Sequence, residues 1–252
     1  MLVVVSPAKK IDMGPVDEKT VTEFTQPIFP SETKELADVA GKLSSADLKK
    51  LMGISDKIAD LNKERFANFG TQSRKPAALA FAGDTYQGLN AASLDLDEMN
   101  WAQDHLRIIS GLYGLLRPLD EIEPYRLEMG SRLTTKKGKT LYDYWGGKLA
   151  EALNLQGQKT KSNFLVNCAS KEYFSAIDQT CLKMALITPV FMENTETGPK
   201  IVSFYAKKAR GAMARFIVTK RIKCETALRD FEAGGYRFSV NLSSDNKPVF
   251  IR

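Results

Sequence analysis

Residues 1–7 read Met-Leu-Val-Val-Val-Ser-Pro, and the four residues from Leu2 to Val5 decide the fold class. A leucine followed by three valines leaves no polar face for water, so the run suits a short strand covered on both sides, as in a partly parallel sheet. Ser6-Pro7 closes it. Working outward, Pro76-Ala-Ala-Leu-Ala-Phe81 reads as a second buried strand ending at Gly83-Asp84, and Leu106-Arg-Ile-Ile-Ser110 as a third stopping at Gly111. Leu165 to Cys168 and Ala185 to Thr188 are further strands, each preceded by helix. Thr20 to Pro30 reads as loop, and Ser31 to Lys42 as a helix with Ser31 at its N-cap. Asp97 to His105 reads as another helix. Lys200 to Tyr205 reads as a late strand leading into a helix from about Lys207 to Asp230, while Tyr236 to Val240 and Pro248 to Ile251 close as a hairpin around Ser243 to Asn246. Strands alternating with helices favour an α/β architecture. No repeat or low-complexity linker divides the chain, so a single compact mixed-sheet domain over 1–252 is expected.

Hydrophobic residues at 43% and charged residues at 26% sit near globular averages and argue against a disordered or fibrous chain. Thirty-six Lys and Arg against thirty Asp and Glu give a net charge of +6, a balance that favours an anionic partner. No apolar run approaches the ~20 residues of a membrane span, and Met1 to Ser6 is too short for a signal-peptide core. A cytoplasmic protein with no membrane partner is therefore expected. Cys168, Cys181 and Cys224 fall in no Cys-x-x-Cys spacing and read as small buried thiols, and His105 is the only histidine. Neither a metal site nor any cofactor is expected from this material.

The strongest local signal runs from Ser44 to Arg65. Ser44 with Asp47 three positions on resembles a capping box, and Leu48 and Leu51 then share a helix face. Gly53 can take the left-handed conformation that ends a helix, and Ser55 can cap the next one. Ile54, Ile58, Ala59 and Leu61 offer apolar positions for packing the second helix on the first. The segment resembles a helix-hairpin-helix motif, with Ser55 standing where that motif normally has its second glycine. There, backbone amides and a helix N-terminus meet a DNA phosphate, with Gly53, Ile54, Ser55, Lys57, Lys63 and Arg65 as the contact set. Such contacts read no base identity, so binding is sequence-independent and weakens with salt. An ordinary packed αα-hairpin would use the same residues.

Ala206 to Ile217 separates when wound as a helix. Lys207, Lys208, Arg210 and Arg215 spread over one side, with Ala209, Ala212, Met213, Phe216 and Ile217 on the other. Gly211 sits among the cations, where a glycine weakens a helix by about 1 kcal/mol, which points to a close neighbour. With Lys9 and Lys10 these cations form either a solvated face or an anion-binding one.

Several polar groups follow strand ends, where α/β proteins build sites. Phe81 to Leu89 supplies Asp84 and Tyr86. Arg107 to Pro118 supplies Arg107, Ser110, Tyr113 and Arg117; Glu123 to Gly130 adds Tyr125 and Arg126; Asn167 to Tyr173 adds Asn167, Ser170 and Glu172. Arginines in such positions can clamp a phosphate or carboxylate. No Gly-x-Ser-x-Gly is present, and no catalytic nucleophile is assigned.

Six segments taken together, Ser6 to Ile11, Gly83 to Gly88, Ser110 to Pro118, Tyr142 to Gly146, Asn167 to Tyr173 and Lys207 to Gly211, resemble the YaaA peroxide-stress family from end to end. The resemblance implies a cytosolic bacterial protein, induced with the peroxide response, that limits unincorporated iron. It also implies an α/β fold of unusual topology with a positively charged cleft and a DNA-binding helix-hairpin-helix, carried here by residues 44–65. Two functions follow as expectations. The first is sequence-independent binding of double-stranded or distorted DNA, which limits iron-driven damage. The alternative is an enzyme acting on a small phosphorylated or nucleotide-like substrate in a basic cleft, with Asp84, Tyr86, Arg107, Tyr113, Arg117, Asn167 and Glu172 converging on one pocket.

Overall fold

The computed structural model describes residues 1–16 and 23–252. Its principal sheet has the order Gly114–Leu116, Leu106–Ser110, Leu2–Val5, Phe164–Cys168, Ala185–Ile187. Leu2–Val5 lies at the centre and parallel to both neighbours, with Val3 opposite Leu106 on one side and Val166 on the other. All four of its residues are fully buried, which is what an unbroken apolar run requires. Ala185–Ile187 continues the parallel set, and the edge strand Gly114–Leu116 runs antiparallel. Because the chain leaves the central strand for one flank and later returns to the other, the order reverses there, and the C-terminal strand ends at such a reversal are where α/β proteins build sites.

A second sheet has the order Gly198–Lys200, Val190–Thr195, Lys247–Ile251, Arg237–Ser244. Its final hairpin turns at residues 245 and 246, close to the expected turn. Two-residue pairings join Lys10–Ile11 to Phe81–Ala82 and Lys75–Pro76 to Glu121–Ile122. The architecture is mixed α/β, with ten α-helical segments among the described residues. None of these helices is long and apolar enough to cross a membrane.

Several local expectations change. Pro76 to Phe81 is not one strand: the helical turn Ala77–Ala80 interrupts it between Lys75–Pro76 and Phe81–Ala82. Three alanines favour helix over strand, and the Ala77 and Ala78 amides donate to Asp120 and Pro118 carbonyls across the turn. The helix expected from Ser31 begins at Pro30, with Phe29 in the N-cap position, because proline suits the first helical turn. Of the loop expected over 20–30, residues 20–22 lie outside the described residues, and Thr25 bridges to Asp120. Lys200 to Tyr205 is not a strand leading to a long helix: the helix spans Ser203–Thr219. Arg221 takes the left-handed conformation (φ 49°) and the Ile222 amide reaches back to the Ile217 carbonyl, ending the helix eleven residues before Asp230. Finally, Cys168 is buried, but Cys181 and Cys224 are exposed.

Helix Ser203–Thr219 crosses the short helix Asp84–Leu89 at very close range. A Cβ on Gly211 would stand 1.8 Å from the Thr85 carbonyl oxygen, and one on Gly88 would stand 2.0 Å from that of Lys208. Two glycines facing each other thus allow contact of backbone on backbone, the neighbour that Gly211 called for.

Candidate functional site

The segment from 44 to 67 forms two helices around an exposed bend. Ser45–Met52 begins with a complete capping box: the Asp47 amide donates to Ser44 Oγ at 3.1 Å and the Ser44 amide to Asp47 Oδ2 at 3.1 Å. Gly53 ends the helix at φ 61°, ψ 44°. Asp56–Ala67 follows, and Ser55 sits at its N-cap without bonding through its side chain. The amides of Ser55, Asp56 and Lys57 consequently donate to no group among the described residues. Gly53, Ser55, Lys57 and Lys63 are exposed, Ile54 is buried, and Arg65 is half-buried with its pKa lowered by desolvation. The Asp56 carboxylate at the bend is paired with Lys49 at 2.8 Å.

The packing face of the second helix differs from expectation. Ala59, Asn62 and Phe66 are buried, while Ile58 and Leu61 face solvent. Positions 59, 62 and 66 share one helical stripe, which rotates 58 and 61 outward. Asn62 gives the reason. Its Nδ2 donates to the Arg126 carbonyl at 2.8 Å and its Oδ1 accepts from the Arg126 amide at 2.8 Å, so the helix is clamped to the body through a backbone segment. An asparagine on a polar-looking helix carries no sequence signal for this.

Arg126 leads toward the C-terminal strand ends. Its guanidinium pairs with Glu128 at 3.0 Å, and Glu128 also takes Lys9 at 2.8 Å, so neither cation is unpaired. At the strand ends the Ser170 amide donates to Ser6 Oγ at 2.8 Å and Tyr86 Oη to the Ser6 carbonyl at 3.1 Å. Asn167 Oδ1 accepts from the Ala169 amide, and Glu172 Oε1 from that of Gly130. Ser110 Oγ bonds Tyr125 Oη at 2.6 Å and accepts the Tyr113 amide, while Tyr113 Oη accepts the Glu123 amide. Burial raises the pKa of Tyr86, Tyr113 and Tyr125, so all three stay neutral phenols engaged in structural bonds. Asp84 opens the short helix beside them.

Arg107 and Arg117 do not join this group, which corrects the seven-residue pocket of the enzyme reading. Arg107 lies three residues before Ser110, about 10 Å down the strand. It donates to the Gln103 and Leu106 carbonyls, and burial pushes its pKa down to about 10. Arg117 is held by the fully buried Asp120 at 2.7 Å. Both serve the opposite end of the sheet.

On helix Ser203–Thr219, Lys207 and Lys208 are exposed. Arg210 lies partly buried beside the Cys168 thiol, whose pKa burial pushes up to about 12. Arg215 instead donates to the Leu89 and Asn90 carbonyls at 3.1 and 2.8 Å, closing the C-terminus of the neighbouring short helix. Lys10 is exposed. Beside the two lysines, Ile201, Val202, Phe204 and Tyr205 stand at least a third exposed, an apolar run that was hidden from sequence reasoning while it was read as a strand.

The chain matches, over residues 1–242, the family described as peroxide stress protein YaaA. It is similar to a UPF0246 protein of Ruegeria pomeroyi, 57% identical over all of this chain and 98% of the relative. A UPF0246 protein of Dinoroseobacter shibae is also 57% identical, over all of this chain and 95% of its own length, and one of Roseobacter denitrificans is 55% identical, over all of this chain and 98% of its own.

Proposed function

Since the chain belongs to the YaaA family of peroxide stress proteins, we propose that it is a cytoplasmic DNA-binding protein that grips the phosphate backbone without reading sequence and so limits iron-driven oxidative damage. The observation that carries this is the exposed bend at Gly53 to Lys57, where three unengaged amides open a twelve-residue helix. Amides and helix dipole together favour an anion there, and Lys57, Lys63 and Arg65 add charge on the same helix. Lys207 and Lys208, with Phe204 and Tyr205 exposed beside them, offer the mixture of cations and aromatic rings that suits nucleic acid. Neutralising phosphates releases the cations condensed on DNA, and iron held there would be displaced with them.

Fluorescence anisotropy with labelled duplex at increasing salt tests the reading. The wild type should bind tightly at low salt and weaken steeply. A Lys57→Glu, Arg65→Glu double variant should bind at least about tenfold more weakly, with its salt slope reduced by about 2. Absence of any binding at low salt would sink the proposal, and a larger loss from Lys207→Glu, Lys208→Glu would move the interface to the terminal helix.

A further inference from the structure

A cleft of about 480 Å³ lies away from the bend, between the strand pair Lys10–Ile11 and Phe81–Ala82 and the helix Asp84–Leu89. That volume is in the range of sites that enclose a drug-sized molecule. Its walls are apolar and short, with Ala78, Ala82, Ala91 and Ala92 making the room. The polar lining is Lys10, Asp12, Lys75, Gln87 and Asn90, together with Tyr86, whose hydroxyl is already bonded to Ser6.

Lys75 is the anomaly. Its side chain is only 8% exposed, yet its ammonium donates to no described residue, and the one carboxylate near it, Asp12 Oδ2, stands at 4.0 Å, beyond hydrogen-bond reach. Asp12 is itself engaged by the Gly14 amide at 2.9 Å. The stem of Lys75 is covered while its ammonium still meets solvent, so three donors are held in place and unused until an acceptor arrives. Lys75 and Asp12 both line the cleft, so the gap between them faces its interior. Lys10, Lys75 and Asp12 together carry one net positive charge.

We infer that this cleft is a binding site for a small organic oxyanion of nucleotide size, whose phosphate or carboxylate takes the free donors of Lys75 while a flat body lies against the alanine walls. Asp12, Gln87 and Asn90 are placed to bond the edge of that body. The site is independent of the hairpin and of DNA, and nothing in the DNA interface uses Lys75.

Calorimetric titration tests it with adenosine 5′-monophosphate and benzoate as the phosphate and carboxylate probes, and with adenosine as the neutral control. At least one oxyanion should bind the full-length protein at millimolar concentration or below, and adenosine should bind about tenfold more weakly than its monophosphate. Which oxyanion binds identifies the headgroup. Lys75→Met should weaken that probe at least about tenfold while leaving Tm unchanged or raised and DNA binding intact, because a methionine keeps the covered apolar stem and removes only the ammonium. Ala92→Glu, at an exposed rim position, should weaken the oxyanion and spare adenosine. If neither oxyanion binds, or if the bound one is held equally by both variants, the inference is overturned. A marked fall in Tm for Lys75→Met would also overturn it, since the lysine would then be structural.

Discussion

Asn62 shows how much a single polar residue can decide. Both ends of its carboxamide bond the backbone of Arg126, and it is almost fully buried. Removing it leaves a donor and an acceptor without partners, so Asn62→Ala should cost about 2 kcal/mol or more in urea unfolding. Amide exchange across 45–67 should rise more than in the central sheet; uniform exchange would show that the clamp is not what holds the hairpin. Asp120 has a comparable role at the other end of the sheet. Fully buried, it accepts from the Arg117 amide, the Arg117 guanidinium and Thr25 Oγ1. That arrangement is why Arg117, which reads as a phosphate clamp from sequence, is unavailable for one.

At the scale of elements, helix ends were legible where a standard residue marks them. Ser44, Asp47 and Gly53 bracket the first hairpin helix as their chemistry dictates; Asp95 with Glu98 caps Leu96–His105 by the same box, one residue ahead of the start expected at Asp97. The helix Ser203–Thr219 ends earlier than its sequence suggests because Arg221, not a glycine, supplies the left-handed residue at its end. Its crossing with Asp84–Leu89 depends on Gly211 and Gly88. An alanine at 211 would place Cβ 1.8 Å from a backbone oxygen that cannot move aside without shifting the short helix. Gly211→Ala should therefore cost about 3 kcal/mol in urea unfolding. A loss under about 1 kcal/mol would mean that the two helices part easily.

Across the whole molecule, the start of the central strand is tied to the strand beside it through His105. The imidazole stacks on Trp101 at 3.8 Å between ring centroids, and its Nδ1 donates to the Met1 carbonyl at 2.9 Å. Desolvation chiefly lowers its pKa below the usual 6.5. The unfolded chain therefore binds a proton more readily than the folded one. Stability from this group is complete above pH 6.5 and declines as pH falls through the interval beneath it. Burial also lowers the Met1 ammonium from its usual 8.0, adding a slope of the same sign at higher pH. His105→Asn keeps a donor near Met1 and removes the titration. Its urea midpoint should depend less on pH below 6.5 than that of the wild type, and equal slopes would refute the assignment.

By itself the sequence determined the elements whose residues answer to local rules: the buried central strand from four apolar residues, the capped hairpin, the α/β alternation and the likeness to a peroxide-stress family. Only the tertiary structure decided which polar groups remain free. Tyr86, Arg117 and Arg215 have the composition of a site, but carbonyls distant in sequence take their hydrogen bonds, while Ser110 and Arg107 spend theirs on backbone groups three and four residues away. Lys75, unremarkable in the chain, has its stem covered and its ammonium left without a described hydrogen-bond acceptor. The physical reason is that a side chain's chemistry is local, whereas its solvation and its partners are set by segments that meet only when the chain has folded.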